Sequence, residues 1–381
     1  MMVSALQPSD PPQAGPYRLV HRIGSGGMGR VYLGVSPTAE KVAVKVVRSD
    51  VLPDEMIRAR FAGEVDSLRM VFGSRVARFE GADLEHHPPW LAVEYVPGRT
   101  LAQHIELHGP LGVDLVAILA AMLCEGLAKV HEAGLLHRDL KPQNIMLGPD
   151  GPKIVDFGLA KLAEGRTQLT APGGIVGTIA YMPPEQARGE TDRLTTAADV
   201  YALGATLAHA ATGGLLYPAG APAAVLYAVG NPATPPDLSA VPGPLAPLVA
   251  AMVAFDPSAR PSLAAVGEAM LGMLSAPVAA MRERLVALTY PGHTQPPEPG
   301  QLSESSTVVL PGPSVDLVID SSTDAVGEEP ADGAKASTSE NLPMPRPEPA
   351  AHRAAGAAAD AVDVSWLVGE LRAEYARDAP F

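Results

Sequence analysis

The sequence has a single cysteine, Cys124, so no disulfide can form within the chain. It also lacks an apolar run of the ~20 residues that span a bilayer. The longest candidate, Ala264 to Leu288, is broken by Glu268, Arg282, Glu283 and Arg284. Met1 to Ala14 contain neither a basic n-region nor an apolar h-region, so no secretory leader, no membrane span and a cytoplasmic location are expected. No internal repeat is visible. Basic residues are outnumbered, 28 to 42, and the formal net charge of -14 argues against nucleic acid as a partner. Most of that charge is local. From Tyr290 onward 15 acidic residues face 5 basic ones, which leaves the preceding residues close to neutral at about -4.

What is present is enough apolar sequence, 47% of 381 residues, for two lobes with additional segments. Residues 1–16, rich in Pro, Ser and Gln, read as disordered. Tyr17 to Val47 alternates polar and apolar positions around turn signals, as paired strands do. Arg58 to Met70 places Phe61, Val65 and Leu68 at helical spacing, and strands resume at Val76–Phe79 and Trp90–Val96. Beyond Pro97-Gly98 the helical patterns are Val113–Glu132, Ala197–Thr212, Leu245–Ala254 and Leu263–Met273. Cys124 lies in the first of these as a small core hydrophobe rather than a reactive thiol. A small β-rich lobe therefore precedes a larger α-rich one. Residues 276–289 read as a helical extension and 290–362 as an acidic, Pro/Ser-rich disordered linker. At 363–378 Val364, Val368, Leu371 and Tyr375 share one helical face, which suits either a short recognition helix or a tail that touches nothing. The linker, likewise, is either a passive spacer or a phosphate-bearing tether.

Four motifs carry chemistry. Gly24-Ser25-Gly26-Gly27-Met28-Gly29-Arg30-Val31 is a Gly-x-Gly-x-x-Gly-x-Val loop whose glycines let backbone approach phosphates. A dinucleotide-binding turn would need a helix directly after it, whereas Val31 to Val35 reads as strand, so a hairpin is expected. Val42-Ala43-Val44-Lys45 puts a lysine among apolar strand residues, with helical Glu64 as its expected partner. His137-Arg138-Asp139-Leu140-Lys141-Pro142-Gln143-Asn144 supplies a base, a cation and an oxygen ligand, and Asp156-Phe157-Gly158 a second ligand.

Taken together, residues 17 to about 275 resemble a protein kinase domain, closest in style to the eukaryotic-like serine/threonine kinases of actinobacteria. The resemblance implies an α+β, bilobal protein kinase fold. It has a β-rich N-lobe (17–96) with one main helix and an α-helical C-lobe (97–275), followed here by a disordered C-terminal tail. It implies ATP held by Ile23, Gly24, Gly26, Gly29, Val31, Ala43, Lys45, Glu64, Glu94, Val96, Met146 and Asp156. Asp139 would take the substrate hydroxyl proton, Lys141 would sit near the γ-phosphate, and Asn144 and Asp156 would hold Mg2+, with Mn2+ as the alternative ion. Lys141 resembles the serine/threonine rather than the tyrosine branch, so the implied partners are proteins with Ser or Thr acceptors. A homodimer and a partner for the C-terminal helix are left open.

Thr178 resembles the hydroxyl residue of the substrate-docking loop, and Glu185 would pair with Arg260. Asp199 resembles the anchor of the central helix. Leu68, His137 and Phe157 match an apolar stack between the lobes, so His137 reads as packing rather than catalysis. Arg138 resembles an arginine that receives an activation-segment phosphate, with Thr167, Thr170 or both as the modified residue. Two departures are Pro183-Pro184-Glu185 where Ala-Pro-Glu is usual, and Val93, small for a residue guarding the inner pocket. A scaffold without activity would lack one of Lys45, Asp139, Asn144 or Asp156, and none is missing. The docking segment 177–185 argues against a small-molecule kinase.

Overall fold

The computed structural model describes residues 4–26, 29–48, 55–156, 179–217 and 220–290. Two short strands, β1 (Ser4–Ala5) and β2 (Gln13–Ala14), pair antiparallel with β3 (Tyr17–Gly26). β4 (Gly29–Val35), β5 (Lys41–Val47), β6 (Phe79–Asp83) and β7 (Trp90–Glu94) complete one sheet in the order β1-β3-β4-β5-β7-β6. Strand alternation divides β5 between two faces. Val42, Val44 and Val46 join Tyr17, Leu19, Tyr32 and Trp90 in an outer cluster. Ala43 and Lys45 take the other face, and Val47 packs with Phe61, Val65 and Leu68 of α1 (Glu55–Leu68). A lysine on this strand is therefore aimed away from the outer core by the pleat itself.

The expected disorder of residues 1–16 is corrected for residues 4–16, which form a strap along β3. Leu19 N–H donates to Pro12 O (2.9 Å), Ala14 is buried, and Leu6 packs against the outer cluster. A polar composition hides this because the anchors lie outside the segment. The carboxylate of Asp10 is fully inaccessible and accepts from Arg22 and Tyr32. A second correction concerns Val76–Phe79. Val76 makes only an isolated parallel bridge with Ile154, while Ala77 N–H donates to Ile154 O (2.9 Å), so the strand proper begins at Phe79.

The helical lobe opens with β8 (Arg99–Thr100) and α2 (Leu101–His108), a helix absent from the sequence reading although its Thr100–Gln103 capping box is visible there. α3 (Val113–Glu132) is apolar nearly all round and is buried accordingly. Cys124 is one of its core residues, and burial pushes the thiol up to about 12. β9 (Ile145–Gly148) pairs with both β8 and β10 (Gly151–Ile154) in a second sheet of order β10-β9-β8. Then follow α4 (Pro184–Ala187), α5 (Thr196–Thr212), α6 (Pro222–Gly230), α7 (Ala246–Met252), α8 (Leu263–Gly272) and α9 (Val278–Thr289). At the hinge between the lobes Gly98 has φ 134°, and a Cβ there would lie 2.1 Å from Leu147 O, so only glycine fits. Among the described residues no helix is long and apolar enough to cross a membrane.

The expected Glu185–Arg260 pair is formed and buried, with Arg260 Nη1 and Nη2 donating to the two carboxylate oxygens (2.7 and 2.8 Å). Arg260 also donates to the carbonyls of Ala254 and Ala197 (2.8 and 2.9 Å) and lies over the Tyr201 ring. Removing one partner strands the other charge in the core. Arg260→Ala is therefore expected to lose about 3–5 kcal/mol of stability in equilibrium denaturation.

Candidate active site

The loop of residues 137–144 is held from below by one buried carboxylate. Asp199, in the first turn of α5, accepts the backbone N–H of His137 on Oδ2 (2.8 Å) and that of Arg138 on Oδ1 (2.9 Å), and His131 Nε2 meets Oδ2 at 2.7 Å. Burial opposes the charge on Asp199, but His131 and His137 outweigh it and keep the carboxyl below its ordinary value. These bonds hold Arg138 at φ 61°, a left-handed conformation that costs a side-chain-bearing residue energy. His137 is fully buried and burial keeps its imidazole neutral, with Nε2 facing Val155 O (3.3 Å) and Nδ1 accepting from Asp139 N–H (3.3 Å). It supports the loop from the inside.

On the open side three expected residues converge. Lys141 Nζ donates to Asp139 Oδ2 (2.8 Å), and Asn144 Nδ2 donates to Asp139 O (2.8 Å) and Oδ2 (3.2 Å). Asn144 closes a 3₁₀ turn, Pro142–Asn144, and its carbonyl takes Val155 N–H (2.9 Å), which brings Asp156 beside it. Asp156 also has positive φ, 55°. With the amide nitrogen of Asn144 committed to Asp139, its side-chain oxygen and the carboxylate of Asp156 would offer a metal a sparse set of oxygen donors only. That suits Mg2+, which keeps several waters and uses few protein ligands besides phosphate oxygens. Among the described residues no cluster of three His, Cys, Asp or Glu side chains offers a closed metal cage.

The upper wall departs from expectation at one pair. Lys45 is bonded to Asp156, and Glu64 instead receives Arg138 Nη1 (2.8 Å), so the expected Lys45–Glu64 contact is not made. Burial raises the Glu64 carboxyl above its usual value while Arg138 pulls it back, so this half-buried acid needs a cation and takes the one the loop offers. Lys45 then neutralises Asp156. Val31 lies opposite Lys45 on the neighbouring strand.

Ile23, Val96 and Met146 are buried, while Val31 and Ala43 are half-buried. Val96 and Met146 cluster with Ala77, Val93 and Val155 as an apolar floor suited to a flat base. The side chain of Glu94 is engaged by Lys153 Nζ and by Arg78 N–H (3.2 Å), and its own N–H donates to Arg78 O (2.7 Å). The three glycines differ in their reason for being glycine. A Cβ on Gly26 would meet nothing and one on Gly24 only Val31 at ordinary contact, whereas one on Gly29 would strike Val46 O at 2.0 Å. The first two leave open room and the third lets the strands close. Phe157, Thr167, Thr170 and Thr178 lie outside the described residues, as do residues 291–381 with the linker and terminal segment. Sequence reasoning missed His131, Lys153 and Arg78 as supports, because each acts through a partner far away in the chain.

Compared with known families, residues 17–270 match the protein kinase domain. The chain belongs to the protein kinase family. It is 43% identical over 263 residues to the "Probable serine/threonine-protein kinase PkwA" of Thermomonospora curvata, covering 69% of this chain and 35% of that one. It is 40% identical to the "Serine/threonine-protein kinase AfsK" of Streptomyces griseus, covering 68% and 32%. The matched stretch thus spans about a third of these relatives. Among solved structures, the Mycobacterium tuberculosis PknI kinase domain aligns at TM-score 0.54 with 25% identity, over 68% of this chain and 96% of that one. The family uses ATP and a divalent metal, and the β-sheet N-lobe and helical C-lobe are its fold.

Val93 is half-buried against the apolar floor of Ala77, Val96 and Met146. A longer side chain there fills space a ligand would use. Inhibitors with bulky inner-pocket groups are expected to bind Val93→Met roughly tenfold or more weakly than wild type, an overpacking penalty read from inhibition constants.

Proposed function

We propose that this chain is an ATP-dependent serine/threonine protein kinase that also phosphorylates its own activation segment. The observation that carries the reading is the convergence of Lys141 and Asn144 on the Asp139 carboxylate, beside Asp156 and Lys45. The Ser or Thr oxygen bonds to the γ-phosphorus as the bond to ADP breaks, and the hydroxyl proton passes to Asp139. Lys141 balances charge on the transferred group, and Lys45 orients the α and β phosphates. Mg2+, held by Asn144 and Asp156, would supply the remaining neutralisation of phosphate charge. Lys45 and Glu64 are each held by another partner in this arrangement. A phosphate on Thr167 or Thr170 would compete with Glu64 for Arg138 and free Glu64 for Lys45.

The test is incubation of the protein with radiolabelled ATP and Mg2+, alone and with a basic test protein, beside Asp139→Asn. Label on Ser and Thr is expected, reduced about 10²- to 10⁴-fold in the variant. Phosphosites at Thr167 or Thr170, and lower activity in the double Ala variant, are expected for the regulatory part. Nucleotide binding without any label in wild type refutes the catalytic reading.

A further inference from the structure

The Asp10 carboxylate belongs to neither lobe's core nor the cleft, yet among the described residues it is the most heavily bonded acid of the N-lobe. Arg22 donates to it twice, Nε to Oδ2 and Nη2 to Oδ1, both at 2.6 Å. Tyr32 OH donates to Oδ1 (2.7 Å), Gln7 N–H to Oδ2 (2.7 Å), and Arg30 Nη1 reaches Oδ1 at 3.4 Å. Its side chain has no exposed surface. A strap needing only to adhere to the sheet could do so through Ala14, Leu6 and the β1 and β2 pairings.

The three side chains Asp10 joins surround one place. Arg22 and Tyr32 are direct partners in the β3–β4 ladder, and the next pairs are Gly24–Val31 and Ser25–Arg30. The register therefore slips between Arg22 and Gly24, leaving Ile23 as the extra residue of a bulge, and bulges re-aim the side chains around them. Val31 adjoins Tyr32 on the regular strand β4, so alternation turns it to the opposite face, where it lies opposite Lys45 of the cleft, and Ile23 is the buried residue at the bulge itself. Arg30 lies beyond the bulge, next to Gly29, where the strands are already in contact with Val46. The carboxylate thus bridges the two strands on the outer face at the point where the inner face turns toward the nucleotide.

We propose that Asp10 is a positioning residue for ATP, setting the aim of the glycine-rich hairpin through Arg22, Tyr32 and Arg30 without touching the nucleotide. This rests on the kinase reading above. The full chain is assayed for KM of ATP and for kcat with a fixed protein substrate in wild type, Asp10→Asn, Tyr32→Phe and the double variant. Val266→Ala, a cavity in the helical core, serves as a control for lost stability, and melting confirms that each variant folds. Asp10→Asn is expected to raise KM for ATP roughly tenfold, the scale of one lost charge-assisted hydrogen bond, with kcat at saturating ATP within about twofold. Tyr32→Phe should give a smaller rise, and the double variant no more than Asp10→Asn alone, because both act through one contact. A wild type that labels protein while Asp10→Asn keeps its KM overturns the positioning role and leaves the kinase reading standing. An equal KM rise in Val266→Ala, or a loss confined to kcat, overturns it too. A wild type that neither binds nor hydrolyses ATP overturns both.

Discussion

A buried carboxylate with three donors organises the cleft. Asp199 has no access to water, so its charge is tolerable only while the His137 and Arg138 amides and the His131 ring are all in place. The same bonds force Arg138 into positive φ, and that turn presents Asp139, Lys141 and Asn144 on the side facing the nucleotide lobe. The strain and the buried charge hold one another. Either alone would relax, the backbone to an ordinary conformation and the acid to its neutral form.

Above that loop the arrangement is governed by charge pairing between lobes. Two acids and two cations, Glu64, Asp156, Lys45 and Arg138, face each other across the cleft, and each partly desolvated charge must find an opposite. Two pairings satisfy them, and the structure takes the one that crosses between the lobes at both contacts. A phosphate introduced near Arg138 would bias that choice through its charge.

The nucleotide lobe solves a different problem, since a single sheet must be apolar on one face for packing and open on the other for a ligand. The outer cluster of Val42, Val44, Val46, Tyr32 and Trp90 is covered by the strap, and the inner face keeps Ala43 and Lys45 for the cleft. The strap therefore does more than hide a sheet edge. Its one charged anchor sits where a change on the outer face is carried through the pleat to the inner one.

The sequence by itself determined the family, the lobe order and the candidate site residues. Those follow from local spacing: glycines at fixed offsets, Lys45 within a strand pattern, and Asp139, Lys141, Asn144 and Asp156 along a short stretch of chain. The apolar period of α3 and the Glu185–Arg260 pair were legible for the same reason or through the family resemblance. Only the tertiary structure decided that Lys45 takes Asp156 and Glu64 takes Arg138, that residues 4–16 are a strap, and that β6 starts at Phe79. Each of these depends on which charge or strand edge lies nearest in space once burial has removed water as a competitor, and no spacing along the chain contains that distance.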